Sequence, residues 1–272
     1  MNETTTTLVT SDGTELFTRT VEPETARYDI LIVHGLGEHS GRWMEPARQF
    51  ARHGAMVHMF DLRGHGESGG EKMDITDFSV FQDDVAQFAA ASAAASGRPW
   101  VLYGHSMGGL ICTGYLVDER SPAPNAAVIS APALDDNASP VLKAIAKPLG
   151  KVIPNVKFPT DIKGEQLSND PAVGEAYFAD PLVSTKITAR MGRAFFSEQA
   201  RLKQRVGEIV TPTLVFHGAE DPLVPPSASA GFTRSSSVKR NLYPNLRHET
   251  HNEPEGKQVI GDVIDWIEAT IL

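Results

Sequence analysis

A serine hydroxyl is a weak nucleophile at neutral pH, so a chain that uses one must also supply a base and a third group that orients the base. Gly104-His105-Ser106-Met107-Gly108 offers such a serine in the pattern G-x-S-x-G. Its setting says more than its pattern. The apolar run from Trp100 to Tyr103 reads as a strand, and Met107 to Val117 reads as an apolar helix rich in small residues. A strand, a tight turn and a helix in that order would lift the Ser106 hydroxyl clear of the backbone. It would then stand at a helix N-terminus, where the dipole favours developing negative charge. A chance glycine-rich turn fits the pentapeptide but not the elements on either side of it.

The partners of such a serine are expected downstream, the acid before the histidine. An apolar strand from Thr213 to Phe216 runs into His217-Gly218-Ala219-Glu220-Asp221-Pro222-Leu223-Val224-Pro225. Asp221 suits the orienting role better than Glu220, because the Asp-Pro turn fixes its backbone. The competing reading is that Asp221 only shapes the turn. For the base, His248 and His251 compete, both between the last strand and the last helix. Pro254 and Glu255 look like first-turn helix residues, which sets His251 close to the helix and His248 nearer the strand end. Spacing favours His248 and leaves His251 open. An oxyanion hole needs two backbone amides. Met107, after the nucleophile, is one candidate, and Leu36 in His34-Gly35-Leu36-Gly37, after the buried strand from Ile30 to Val33, is the other.

Elements that could position these groups alternate along the chain. Strands near Thr4 to Thr10 and Leu16 to Val21 flank the hairpin signal Ser11-Asp12-Gly13. Helices are expected from Met44 to His53 and from about Thr76 to Ser96, with a strand from Met56 to Phe60 between them. Strands follow at Ala127 to Ser130 and Lys239 to Tyr243, and Val259, Ile260, Val263, Ile264 and Ile267 mark a closing helix. The pattern predicts an α/β fold with a mostly parallel central sheet and helices on both faces. It breaks between residues 133 and 207. Six prolines there divide helical pieces with no convincing strand, which predicts a helical cap inserted between core segments 1–132 and 208–272.

Composition narrows the classes. At 272 residues with 41% apolar and 22% charged residues, the chain suits an ordinary globular domain. A net charge of −9 with no basic stripe argues against nucleic acid as a partner. The single cysteine, Cys112, allows no intramolecular disulfide, suits a reducing cytoplasm and reads as a small buried hydrophobe. There is no secretory pattern and no apolar stretch near the ~20 residues that span a bilayer. Gly64-His65-Gly66-Glu67-Ser68-Gly69 matches a dinucleotide fingerprint, but no helix is expected to open there. The other histidines are too scattered for a metal site and read as surface or hydrogen-bonded core groups. Neither a metal nor an organic cofactor is implied.

The whole chain resembles the monoacylglycerol lipase family of α/β-hydrolases. The resemblance rests on His34-Gly-Leu-Gly-Glu-His-Ser-Gly-Arg-Trp43, Asp61-Leu-Arg-Gly-His-Gly-Glu-Ser68, Gly104-His-Ser-Met-Gly-Gly109, Gly218-Ala-Glu-Asp-Pro-Leu-Val224 and Tyr243-Pro-Asn-Leu-Arg-His-Glu-Thr-His-Asn-Glu-Pro254. It implies a triad of Ser106, Asp221 and His248, with oxyanion amides at Leu36 and Met107. It also implies polar groups around a glycerol end at Glu38, Arg42 and His251, for which a structural ion pair or loop brace is the rival reading. The implied substrate is a small lipid ester, a monoacylglycerol. Other carboxylesterases and lysophospholipases would keep the same residues and change the leaving group. A peptidase fits less well, with no acidic cluster in the insertion to hold an amino terminus. The reading from another class is a non-catalytic binding protein, which has no need of the full Ser-Asp-His order. Val141 to Phe158 carries Lys143, Lys147, Lys151 and Lys157 among apolar residues and no acid. That suits peripheral contact between the cap and an anionic membrane, against the plainer reading of a lid segment packed on its own core.

Overall fold

The computed structural model describes residues 1–135 and 148–272. Its central feature follows from the short apolar strands. β1 (Asn2–Val9) and β2 (Glu15–Glu22) form the expected hairpin. β3 (Tyr28–Val33) and, after α1 (Met44–Arg52), β4 (Ala55–Phe60) come next. Then follow α2 (Ser79–Ala91), β5 (Trp100–His105), α3 (Met107–Val117) and β6 (Ala126–Ser130). The inserted segment contributes β7 (Lys157–Pro159), α4 (Gly164–Leu167), α5 (Pro171–Ala179), β8 (Lys186–Thr188) and α6 (Ala189–Arg205). The chain closes with β9 (Thr213–Gly218), β10 (Val238–Tyr243) and α7 (Gly256–Ile271).

Eight strands form one sheet in the order β1-β2-β4-β3-β5-β6-β9-β10, parallel from β4 to β10 and antiparallel at the β1 and β2 edge. A parallel sheet is buried on both faces, and successive side chains alternate between them. Ile30 and Ile32 accordingly enter one core, with Phe50 of α1 and Val263 of α7. Leu31 and Val33 enter the other, with Phe81 and Phe88 of α2, Leu110 of α3 and Leu202 of α6. Every residue of α3 is buried, which explains why its sequence is apolar all round rather than amphipathic.

The strand order fixes where a site can form. From β3 the chain passes to β4 on one side, then returns to β5 on the other, with Val33 beside Gly104. Connections therefore diverge at the carboxyl ends of β3 and β5, the topological switch point where α/β sheets open a crevice. Those ends carry Gly35 and Ser106.

Two elements differ from the sequence expectation. The helix expected from Thr76 to Ser96 runs only from Ser79 to Ala91; the Ser92 hydroxyl donates to the Phe88 carbonyl (2.5 Å), and a 3-10 turn over Ala93–Ser96 follows. Serine side chains compete with the helical ladder in this way. The insertion also holds two short strands, β7 and β8, paired antiparallel with Lys157 opposite Thr188. Three-residue strands so far apart in sequence leave no alternation to read. No helix opens after the glycines of Gly64 to Gly69. That loop is instead tied to the chain after β3 through Asp61, which accepts from the Ser40 amide (2.8 Å), the Ser40 hydroxyl (2.5 Å) and the Glu67 amide (2.8 Å). Of the cationic segment read from Val141 to Phe158, the part from Val141 to Lys147 lies outside the described residues.

Gly108 sits where α3 meets the end of β3. A Cβ there would overlap the carbonyl oxygens of Val33 and His34. Gly261, in α7, has no atom within 4 Å of a built Cβ. Gly108→Ala should therefore cost about 2–3 kcal/mol, and Gly261→Ala should gain about 0.5–1 kcal/mol. Denaturant unfolding of both variants checks the contrast.

Candidate active site

Ser106 stands between β5 and α3 with φ 54° and ψ −115°, a positive-φ backbone for a residue with a Cβ. Such a conformation costs about 1–3 kcal/mol and persists only where neighbours impose it. Here its amide donates to Ser130 (2.9 Å), and its carbonyl accepts from the amides of Leu110 (3.0 Å) and Ala133 (3.0 Å). The glycines beside it are required by packing: a Cβ on Gly104 would meet Cys112 Sγ at 2.7 Å. Cys112 is buried behind the turn, as expected of a small hydrophobe.

The Ser106 hydroxyl lies 2.9 Å from His248 Nε2, and His248 Nδ1 lies 2.7 Å from Asp221 Oδ2. Asp221 is fully satisfied. Its Oδ1 accepts from the amides of Leu223 (2.8 Å) and Val224 (2.9 Å), and its Oδ2 takes a second imidazole, His217 Nε2, at 3.0 Å. His217 Nε2 also reaches the Val224 carbonyl (2.9 Å), which can only accept, so that nitrogen carries the proton. Burial pushes the Asp221 carboxyl up. The His248 charge and the bonds from both imidazoles outweigh it and hold the group well below the usual carboxylate range. Burial pulls His248 down, but the charge of Asp221 and its hydrogen bond win, and the net shift is upward.

His251 has a different place. Its ring stacks on Trp43, with centroids 4.0 Å apart and planes at 23°, and neither nitrogen has a partner among the described residues. It does not line the cavity beside Ser106, whereas Glu38 and Arg42 do. The turn Thr250–Asn252 carries His251 away from the cavity and under the indole. Of the two histidines that spacing left open, only His248 reaches the serine and the aspartate.

The loop after β3 is fixed from both sides. His34 Nε2 accepts the Leu62 amide (2.9 Å), so its proton sits on Nδ1, which donates to the Gly35 carbonyl (2.8 Å). The Gly35 amide donates to Glu38 Oε1 (2.6 Å). In a trans peptide the carbonyl and the following amide point opposite ways. Pinning the Gly35 carbonyl on His34 therefore turns the Leu36 N–H away from His34. Leu36 and Met107 both line the cavity with Ser106. The Met107 amide, in the first turn of α3, has no acceptor within its own helix.

Arg42 lies between two buried carboxylates. It donates to Glu38 Oε2 (3.0 Å) and to both oxygens of Glu249 (2.8 and 2.7 Å). Its guanidinium also lies 4.8 Å from the Tyr177 ring of α5. Burial raises Glu38, with Arg42 opposing and the Glu249 charge adding to the rise. Glu249 is lowered, because Arg42 overcomes its burial.

The cavity has a volume of about 710 Å³. Glu38, Arg42, Glu249 and Tyr177 form one polar cluster in its wall, Thr160, Asp161, Gln166 and Thr188 add further polar groups, and much of the remainder is apolar, with side chains such as Ile162, Ile187, Met191, Phe195 and Phe196. Sequence reasoning missed Glu249, Tyr177 and the positioning roles of His34 and His217. Only Glu249 carried a signal, as the neighbour of His248. Among the described residues no group of His, Cys, Asp and Glu could hold a metal ion, and no helix is long and apolar enough to cross a membrane.

Residues 24–255 match the hydrolase family model described as serine aminopeptidase, S33. The monoacylglycerol lipase of Mycolicibacterium smegmatis is 38% identical over 246 residues, 88% of this chain and 87% of that one. The human monoglyceride lipase is 30% identical over 270 residues, 96% of this chain and 89% of its own. The chain belongs to the monoacylglycerol lipase-like α/β-hydrolases. That membership makes it a carboxylic ester hydrolase. The crystal structure of the Paleococcus ferrophilus monoacylglycerol lipase superposes on this hydrolase with a TM-score of 0.84 at 26% identity, covering 94% of this chain and 99% of the other.

The histidines of this hydrolase titrate in opposite senses. Burial pulls His34 down to about 4 and His65 and His251 to about 3. An unfolded histidine takes its proton near pH ~6.5. These three rings therefore draw stability down as pH falls from ~6.5, toward about 4 for His34 and about 3 for His65 and His251. His248 is raised, so its contribution is complete below the unfolded value and is lost as pH rises through the folded one. In histidine-labelled protein, His248 should titrate above ~6.5, with His251 still neutral at pH ~5. His251 titrating near its free value would contradict this burial.

Proposed function

We propose that this hydrolase cleaves the ester bond of monoacylglycerols to fatty acid and glycerol, with Ser106, His248 and Asp221 as its triad. The observation that carries the substrate is the division of the cavity. A polar end at Glu38, Arg42 and Tyr177 suits a glyceryl group, and an apolar interior suits a single acyl chain. His248 Nε2 takes the Ser106 proton as the hydroxyl oxygen attacks the ester carbonyl. The Leu36 and Met107 amides hold the oxyanion, each worth on the order of 10²-fold in rate. The tetrahedral intermediate collapses to an acyl-serine, and His248 gives its proton to the leaving glycerol oxygen. Water then enters, loses a proton to the same nitrogen and releases the acid.

In this reading residues 133–207 act as a cap. The insertion is joined to the oxyanion loop through the Ser184 amide on the Gly37 carbonyl (2.8 Å) and through His39 on Asp180 (2.9 Å). Val152, Ile153, Val156 and Phe158 are exposed on it beside Lys151 and Lys157, which suits peripheral contact with a lipid surface. The acidic pair at the polar end does not favour a peptide amino terminus, because both carboxylates already bind Arg42.

Fatty acid release from a monoacylglycerol should exceed release from di- and triacylglycerols, and Ser106→Ala should lower turnover by at least ~10⁴-fold. Turnover of a short soluble ester alone would retain the triad and refute the lipid substrate. A folded protein inactive on every ester would favour a binding protein on this scaffold.

A further inference from the structure

Glu249 is buried, lines the cavity and follows directly on His248, yet neither the triad nor the oxyanion hole accounts for it. Its contacts reach three separate segments. Both carboxylate oxygens take Arg42, at 2.8 and 2.7 Å. One of them also accepts from Asn252 Nδ2 (2.7 Å), within its own loop. Its amide donates to the Leu167 carbonyl of the insertion (2.7 Å). Arg42 continues to Glu38 (3.0 Å), and Glu38 to the Gly35 amide (2.6 Å). The loop carrying the base and the loop carrying the Leu36 amide, 207 residues apart at Arg42 and Glu249, are thereby joined by charge-assisted bonds.

We propose that Glu249 is a positioning residue that couples the base to the oxyanion loop, holding Arg42 so that Glu38 and the Gly35 amide keep one geometry. The inference rests on the roles given above to Ser106, His248 and Leu36. A carboxylate used only to balance Arg42 would not need to neighbour the base. This one stands next to it in the chain, so its charge acts on His248 as well. The groups facing His248 are Asp221 after β9, Ser106 and His105 at the end of β5, Glu38 after β3, and Glu249 and His251 on its own loop. Arg42, held between Glu38 and Glu249, responds to the loss of Glu249. Removing the Glu249 charge leaves Arg42 less compensated, and both changes disfavour the imidazolium.

Glu249→Gln keeps the shape and removes the charge; Glu249→Asp keeps the charge and shortens the reach. The test is an NMR titration of the His248 ring in wild type and both variants, with melting temperatures and kcat and KM on a short soluble ester beside it. Glu249→Gln should move the His248 midpoint down by about half to one pH unit, and Glu249→Asp should hold it near the wild-type value. Both should lower kcat by about 10-fold or more with KM nearly unchanged, because a displaced oxyanion amide affects only the transition state. An unmoved His248 midpoint and unchanged kcat in folded Glu249→Gln would overturn the inference, as would failure of both variants to fold. Wild-type protein with no Ser106-dependent turnover would instead refute the hydrolytic reading, and the His248 titration would still decide the role of Glu249.

Discussion

Everything in the site depends on one close approach of backbone to backbone. At Gly108 the first turn of α3 lies directly against the carbonyls of Val33 and His34, with no room for a side chain between them. That contact sets the N-terminus of α3, and with it Ser106 and the Met107 amide, against the loop that follows β3. Gly35 repeats the constraint on the other side, where a Cβ would come within 3.3 Å of Ser106 Cβ and 2.9 Å of Glu38 Oε1. The serine and the two amides are thus held by packed main chain rather than by mobile side chains. A preorganised site needs this, since a displacement of about 1 Å can cost on the order of 10²-fold in rate.

The polar groups around that contact are buried, and burial of an unpaired charge is costly. The structure meets the cost by satisfying each group in full or keeping it neutral. Asp221 stays ionised because four donors converge on it. His34 stays neutral, and only the neutral ring can accept the Leu62 amide on one nitrogen while donating to Gly35 with the other. Arg42 carries two carboxylates, of which Glu249 is held low and Glu38 is raised. Glu38, Arg42 and Glu249 gather charge in one part of the cavity wall, and much of the remaining wall is apolar. A lipid ester needs both kinds of surface.

Much of this was legible in the sequence, because it follows from short-range signals. The apolar strands at Ile30, Trp100 and Thr213 each end in a glycine-containing loop, and these loops carry Leu36, Ser106 and Asp221 in turn, while His248 follows the last strand on the loop before the closing helix. The choice between His248 and His251 was not legible from spacing, since three residues on a loop can face either way. The decision comes from Trp43, whose ring takes His251. Glu249 and Tyr177 were missed for a related reason: their partner, Arg42, lies far away in sequence, and no local pattern marks a long-range ion pair. The pairing of β7 with β8 was hidden because strands of three residues have no period to detect. Asp221 was read as a turn residue or an orienting acid. Its contacts suit both readings, with one oxygen on the turn amides and the other on two imidazoles.

The central claim is that this geometry makes Ser106, and no other serine, nucleophilic. The most direct measurement is reaction with a fluorophosphonate, followed by intact mass and peptide mapping. The account predicts a single adduct on Ser106, absent in Ser106→Ala and slowed at least ~10³-fold in His248→Gln. No adduct on the folded protein, or an adduct on another serine, would contradict it.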